Sequence, residues 1–200
     1  MSSARETILA AVQRGRRTLA APAYLLPPWS GDVAAVFSTN ACASGCDVRE
    51  IVAATEAPEA IWALLRAAQS EPRLHIPLGS PLADLPWARA PGLSISRGPP
   101  SGIDSALSRA DYAVAETGTL VFLSGPQTPS SWHFRPGREI ALVERSRIFP
   151  RLEHVFSDMR PKGMPATVNL VTGPSRTADI EQTIERGAHG PRAVDIFIIG

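Results

Sequence analysis

With only two cysteines in 200 residues, the chain lacks the ligands for most cysteine chemistry. Cys42 and Cys46 cannot complete a four-ligand zinc or iron–sulfur site without help. Their i, i+4 spacing puts both on one face of a helix, where parallel side chains make a poor disulfide. Buried or idle thiols in a reducing compartment are the plainer expectation. An excess of one charge is also missing. Lys and Arg number 20 against 19 Asp and Glu, a net charge of +1, so there is no electrostatic case for nucleic acid or an anionic membrane. No apolar run approaches the ~20 residues that span a bilayer. Residues 1–14 carry a mildly amphipathic helix pattern with Arg5 and Glu6 inside it, and no secretory apolar core. A cytoplasmic protein with no membrane span is the expectation. There is no Gly-x-Gly-x-x-Gly turn, no Walker motif, and no internal repeat.

What the chain does have is an apolar fraction of 44%, which suits a globular protein of one domain, with or without a small extension. Residues 1–29 read as an N-terminal arm. A short helix near 4–17 is followed by a stretch that Pro27 and Pro28 keep from being helical, in which Tyr24, Leu25, Leu26 and Trp29 are too apolar for a free linker. Residues 30–200 read as one α/β domain. Ser30 is the expected cap of a helix through about Ser44, with Gly45 as its stop. Strands are expected at 48–53, 74–78, 93–96, 112–115, 120–124, 139–143, 166–171 and 193–199. Helices are expected at 58–68, 102–110 and 147–159, and from Ser175. Seven prolines between Pro72 and Pro100 exclude a long helix there; loops over a sheet edge, anchored by Trp87, are expected. Strands alternating with helices imply an α/β layer fold with a mixed, mostly parallel sheet and helices on both faces.

Three short segments carry the candidate chemistry. In the run Thr172-Gly173-Pro174-Ser175-Arg176-Thr177-Ala178-Asp179-Ile180-Glu181, a strand reads as ending in a Gly-Pro turn that opens a helix. Free N–H groups at a helix start suit an anion, with Ser175 and Thr177 adding hydroxyls and Arg176 a cation. An ordinary capped helix, with Ser175 as N-cap and Asp179 in the first turn, is the plainer alternative. In Glu116-Thr117-Gly118-Thr119, Gly118 frees the backbone for a sharp corner between two strands, Thr117 and Thr119 supply hydroxyls, and Glu116 supplies a carboxylate; a solvated turn is the alternative. In Gly187-Ala188-His189-Gly190-Pro191, glycine and proline are ordinary stop signals, and His189 is either a structural hydrogen-bonder or a catalyst.

In order and spacing these segments resemble the LUD-domain family, the LutC/YkgG-type lactate utilization proteins, over roughly residues 102–200. The resemblance implies an α/β fold similar to the NagB/RpiA/CoA-transferase-like superfamily. It implies a place beside iron–sulfur subunits that together convert L-lactate to pyruvate, with no cofactor in this chain and the iron–sulfur clusters in its partner subunits. The chain would then bind a small carboxylate or phosphate, or organise the other subunits. The ligand-binding candidates are Thr117, Gly118, Thr119, Ser175, Arg176, Thr177, Asp179 and His189. By analogy with CoA-transferases, Glu116 is the candidate nucleophile or orienting carboxylate. The alternatives are a stand-alone acyl-CoA or sugar-phosphate transferase or isomerase using Glu116, and a structural subunit with a vestigial pocket.

Overall fold

The computed structural model describes residues 3–15, 26–126, 128–180 and 183–200; the side chains of residues 15, 177–180 and 183–186 lie outside that description. Tyr24, Leu25 and Glu181 also fall outside it. The chain divides into two units, residues 1–30 and 31–200.

The first unit holds helix α1 (Ala4–Gly15). Its start is a reciprocal cap. The Ser3 N–H donates to Glu6 Oε2 at 2.8 Å, and the Glu6 N–H donates to Ser3 Oγ at 3.3 Å.

The second unit begins with helix α2 (Val33–Ala43), followed by strand β1 (Asp47–Ile51), helix α3 (Ala57–Ala67) and the short strands β2 (Arg73–His75) and β3 (Ser94–Ser96). Next come β4 (Ser105–Arg109), β5 (Tyr112–Val114), β6 (Thr119–Leu123), β7 (Arg138–Glu144), β8 (Ile148–Phe149) and helix α4 (Leu152–Met159). Strands β9 (Val168–Val171), β10 (Arg176–Ile180), β11 (Thr183–Arg186) and β12 (Ala193–Ile199) complete it. Six strands form one all-parallel sheet in the order β1-β12-β7-β4-β2-β3. Four form a second, mixed sheet in the order β8-β5-β6-β9, and β10 and β11 make a separate hairpin.

An α/β fold with mostly parallel strands is what the alternating pattern predicted. Helix α3 packs Ile61, Leu64 and Leu65 onto Leu107, Ile140, Leu142, Phe197 and Ile199 of the large sheet. Burying each such side chain fully stabilises by about 1.5–3 kcal/mol. Helix α4 packs Val155 and Met159 onto Tyr112, Val114 and Val121 of the second sheet. Helix α2 contacts both β1 and β8, and so touches both sheets. Strands β5 and β6 are antiparallel neighbours, as the short connection required. Within the proline-rich stretch, Trp87 anchors locally: its Nε1–H donates to the Leu82 carbonyl at 3.0 Å, and its ring packs on the core.

Several expectations are corrected. Residues 102–110 are not a helix. Ser105–Arg109 is a central strand, buried on both faces, so its sequence shows no period-two signal. The helix expected over 147–159 starts only at Leu152, because Pro150 favours extended backbone at Phe149 and β8 pairs there with β5. The cap of α2 is Asp32, not Ser30; Asp32 Oδ1 accepts from the Ala34 N–H at 2.8 Å. Cys46 lies beyond the end of α2, so the two thiols do not share a helix face. The helix expected from Ser175 is the β10–β11 hairpin, with Arg176 opposite Arg186 and Ile180 opposite Thr183. Its β-branched residues Thr177, Ile180, Thr183 and Ile184 favour extended backbone, and the weak helical spacing does not prevail.

Candidate functional site

Two of the three predicted segments rest against the C-terminal half of α2. The corner between β5 and β6 is the first piece. Asn40, on α2, donates from Nδ2 to the carbonyls of Ala115 at 2.8 Å and Glu116 at 3.1 Å. Gly118 adopts φ +66°, and a Cβ there would lie 2.3 Å from the Ala41 backbone nitrogen. Only glycine allows both the left-handed backbone and this approach to the helix.

The second piece is the turn after β9. Gly173 adopts φ +81°, and a Cβ there would lie 2.3 Å from the Ser44 carbonyl oxygen. The two turns therefore rest on successive parts of one helix. They also meet directly through hydroxyls. Thr117 Oγ1 is 2.6 Å from Thr119 Oγ1, which is 2.6 Å from Thr172 Oγ1. Thr119 is buried, while Thr117 and Thr172 are exposed, so the chain of three hydroxyls opens to solvent at its ends.

The third piece closes over the second. The Ser175 N–H donates to the Pro191 carbonyl at 2.8 Å, and the Gly187 N–H donates to the Ser175 carbonyl at 3.1 Å. This pairing brings the Gly187–Pro191 loop beside Ser175. His189 lies in that loop, exposed.

The two charged candidates engage different partners. Glu116 Oε1 is 3.4 Å from Arg151 Nε, and the Glu116 side chain is 52% exposed. Arg176 donates from Nη2 to the Ser44 carbonyl at 3.3 Å. With no helix beginning at Ser175, the expected helix start for an anion is gone. Arg176 instead sits at the C-terminal end of α2, where unpaired carbonyls and the negative end of the dipole favour a cation. Thr177 and Asp179 belong to β10, with their side chains outside the description.

Cys46 sits just below this cluster. Burial pushes its thiol up to about 11, opposed by a hydrogen bond from the Gly173 backbone. Cys42 is exposed. Among the described residues, no group of three or more His, Cys, Asp or Glu could hold a metal ion. No described helix is long and apolar enough to cross a membrane.

A buried polar network between the two sheets was missed from the sequence. His133 stacks on Phe122 with ring centroids 3.9 Å apart, and its Nδ1 is 3.1 Å from Glu139 Oε1. Ser108 Oγ accepts from Trp132 Nε1–H at 3.1 Å and lies 3.5 Å from the same His133 Nδ1. Ser, His and Glu are thus in contact, but they do not form a relay. A relay needs the serine on one ring nitrogen and the carboxylate on the other, and here both meet Nδ1. Glu139 is fully buried on β7, and its Oε2 has no hydrogen-bond partner among the described residues. The available signal was a glutamate opening an otherwise apolar strand, Glu139-Ile-Ala-Leu-Val143.

Comparison with known proteins agrees with the motifs. Residues 101–199 match the LUD domain model. The lactate utilization protein C of Halalkalibacterium halodurans is 37% identical over 93 residues, 44% of this chain and 40% of that protein. Its counterpart in Anoxybacillus flavithermus is 36% identical over 89 residues, 44% of this chain and 40% of that protein. An uncharacterized protein of Neisseria meningitidis serogroup B is 36% identical over 101 residues, 50% of this chain and 43% of that protein. The matched part thus spans less than half the length of these relatives. The crystal structure of a DUF162 family protein from Deinococcus radiodurans superposes with a TM-score of 0.63 at 20% identity, covering 86% of this chain and all of that one, which establishes likeness of fold. On the match over residues 101–199 and the motifs within it, the chain belongs to the LUD-domain family.

Proposed function

We propose that this chain serves the oxidation of L-lactate to pyruvate as a subunit with no redox cofactor of its own. It would bind a small carboxylate or phosphate, or organise iron–sulfur partner subunits that carry the electrons. One observation carries the reading: the first two family motifs meet at the C-terminal half of α2 through the Thr117–Thr119–Thr172 hydroxyl chain, and the third pairs with Ser175 of the second. A structural role for the turns alone would not require exposed hydroxyls at both ends of that chain. The relatives named lactate utilization protein C support a role in lactate utilization.

Oxidising lactate removes two electrons, which need an acceptor. The thiols here, Cys42 exposed and Cys46 buried with its pKa raised, are a poor ligand set for a cluster, which supports placing the clusters in partners. The alternative, a transferase using Glu116 as nucleophile, is weakened by that residue's surroundings. A carboxylate nucleophile works in a shielded site, and Glu116 is half-exposed and beside Arg151.

The test is a tagged full-length chain recovered from lactate-grown cells, together with a deletion strain. Iron–sulfur proteins should co-elute, and the deletion should abolish growth on L-lactate. Normal growth of the deletion strain on L-lactate, with an iron-free eluate, would rule the reading out.

A further inference from the structure

A cleft of about 300 Å³ opens at the carboxyl end of β4, with none of the motif residues in its lining. Its lining includes Ser108, Arg109 and Asp111 from the end of β4 and the segment after it, Phe122 from β6, and His133 and Arg147. The carboxyl ends of parallel strands are where ligands bind in open α/β sheets. The volume lies at the small end of the range for metabolite sites.

We propose that this cleft binds a small monocarboxylate of the 2-hydroxy or 2-oxo class, with the carboxylate toward Arg109 and Arg147 and the second oxygen toward Ser108. The choice of 2-hydroxy and 2-oxo acids rests on the lactate reading above; the anion site itself rests on the cleft.

Arg109 Nη2 is 3.4 Å from Glu144 and Arg147 Nη1 is 3.6 Å from Asp158. Each pair engages one nitrogen of a five-donor guanidinium, so donors remain on both groups. Neither acid is part of the lining. Asp111 is, and its carboxylate already accepts the Leu123 N–H at 2.8 Å. Within the lining the two guanidinium groups face one carboxylate, Asp111, a net charge of +1 that suits a single negative charge better than a phosphate dianion.

Ser108 and His133 in the cleft are buried. Ser108 Oγ takes the Trp132 N–H, and His133 Nδ1 faces the Glu139 carboxylate. A ring N–H donated to that carboxylate cannot also accept from Ser108. The Ser108 hydroxyl proton is then available to a ligand oxygen. Phe122 and the stacked His133 ring supply an apolar wall for the methyl group of a three-carbon acid.

Calorimetric titration of the full chain with L-lactate, pyruvate, acetate and inorganic phosphate tests the assignment. Lactate or pyruvate should bind saturably, and more tightly than acetate or phosphate. Arg109→Gln and Arg147→Gln should each weaken that binding on the order of tenfold or more. Arg109 is the more exposed of the two, so its variant keeps the test valid if Arg147→Gln unfolds. No saturable binding of either acid at tens of millimolar would overturn the site, and equal binding of acetate or phosphate would overturn the ligand class. Loss of binding in Arg176→Ala, with normal binding in both cleft variants, would put the anion at the motif cluster and sink this proposal. The lactate reading itself is judged separately by growth of the deletion strain.

Discussion

Asn40 donates from Nδ2 to the Ala115 carbonyl at 2.8 Å and to the Glu116 carbonyl at 3.1 Å, tying helix α2 to the β5–β6 corner across 75 residues of chain. One side chain thereby satisfies two carbonyls that the corner leaves outside any strand ladder. Asn40→Ala should lower folding stability by about 0.5–1.5 kcal/mol, the range for a net hydrogen bond, because the Ala115 carbonyl keeps the Gly118 N–H at 3.4 Å and the Glu116 carbonyl lies at an exposed position. Urea unfolding followed by circular dichroism measures this. A change below about 0.5 kcal/mol would mean that water replaces the amide without loss.

Gly118→Ala should be the more damaging change. It forces a left-handed backbone on alanine, at about 1–2 kcal/mol, and places a methyl group against the α2 backbone. The total should exceed about 2 kcal/mol, since backbone cannot swing away as a side chain can. Gly102→Ala is the control: a Cβ there meets nothing within 4 Å, and stability should change by less than about 0.5 kcal/mol. Equal effects of the two substitutions would refute the close packing of the corner on α2.

The two thiols should react at very different rates. Burial holds the Cys46 thiol up to about 11, so its thiolate fraction is small at pH 8, whereas Cys42 is exposed. Alkylation of the native protein at pH 8 should modify Cys42 rapidly and Cys46 only after denaturant is added, as peptide mass mapping would show. The same shift predicts a pH effect on stability. The folded state keeps a proton that the unfolded state releases, so this contribution is intact below pH 9 and declines between about 9 and 11. A stability that stays flat across that window would contradict the burial of Cys46.

Purified chain should contain no stoichiometric iron–sulfur cluster, because two thiols in such different surroundings are too few ligands. Iron and acid-labile sulfide assays decide it. A brown preparation with about two irons per chain would place a cluster here, one four-iron cluster held by four thiols pooled between two copies.

Arg176→Ala removes a donor from the Ser44 carbonyl at an exposed position. The loss of stability should be about 0.5–1.5 kcal/mol, as for a single net hydrogen bond, and thermal melting would register it as a shift of a few degrees. An unchanged melting curve would show that Arg176 does not hold the end of α2.

Local pattern alone was enough to read the α/β alternation, the antiparallel β5–β6 pair, the amphipathic α3 and the glycine stop after α2. Each depends on neighbours within about ten residues: apolar spacing, a short connection, or a residue able to take positive φ. The motif residues were legible in the same way, because hydroxyls, glycines and charges crowd into three short runs. What those residues face was decided by the tertiary structure. Ser105–Arg109 is a strand because β2 and β7 pair with its two edges and both its faces are buried, which outweighs its weak local preference. Residues 176–186 pair as a hairpin instead of continuing as a helix. That exchange turned Arg176 from an expected anion ligand into a cap on α2. The Ser108–His133–Glu139 network was invisible beforehand for a related reason: its members lie on three separate elements, and only the packing of two sheets brings them within hydrogen-bond range.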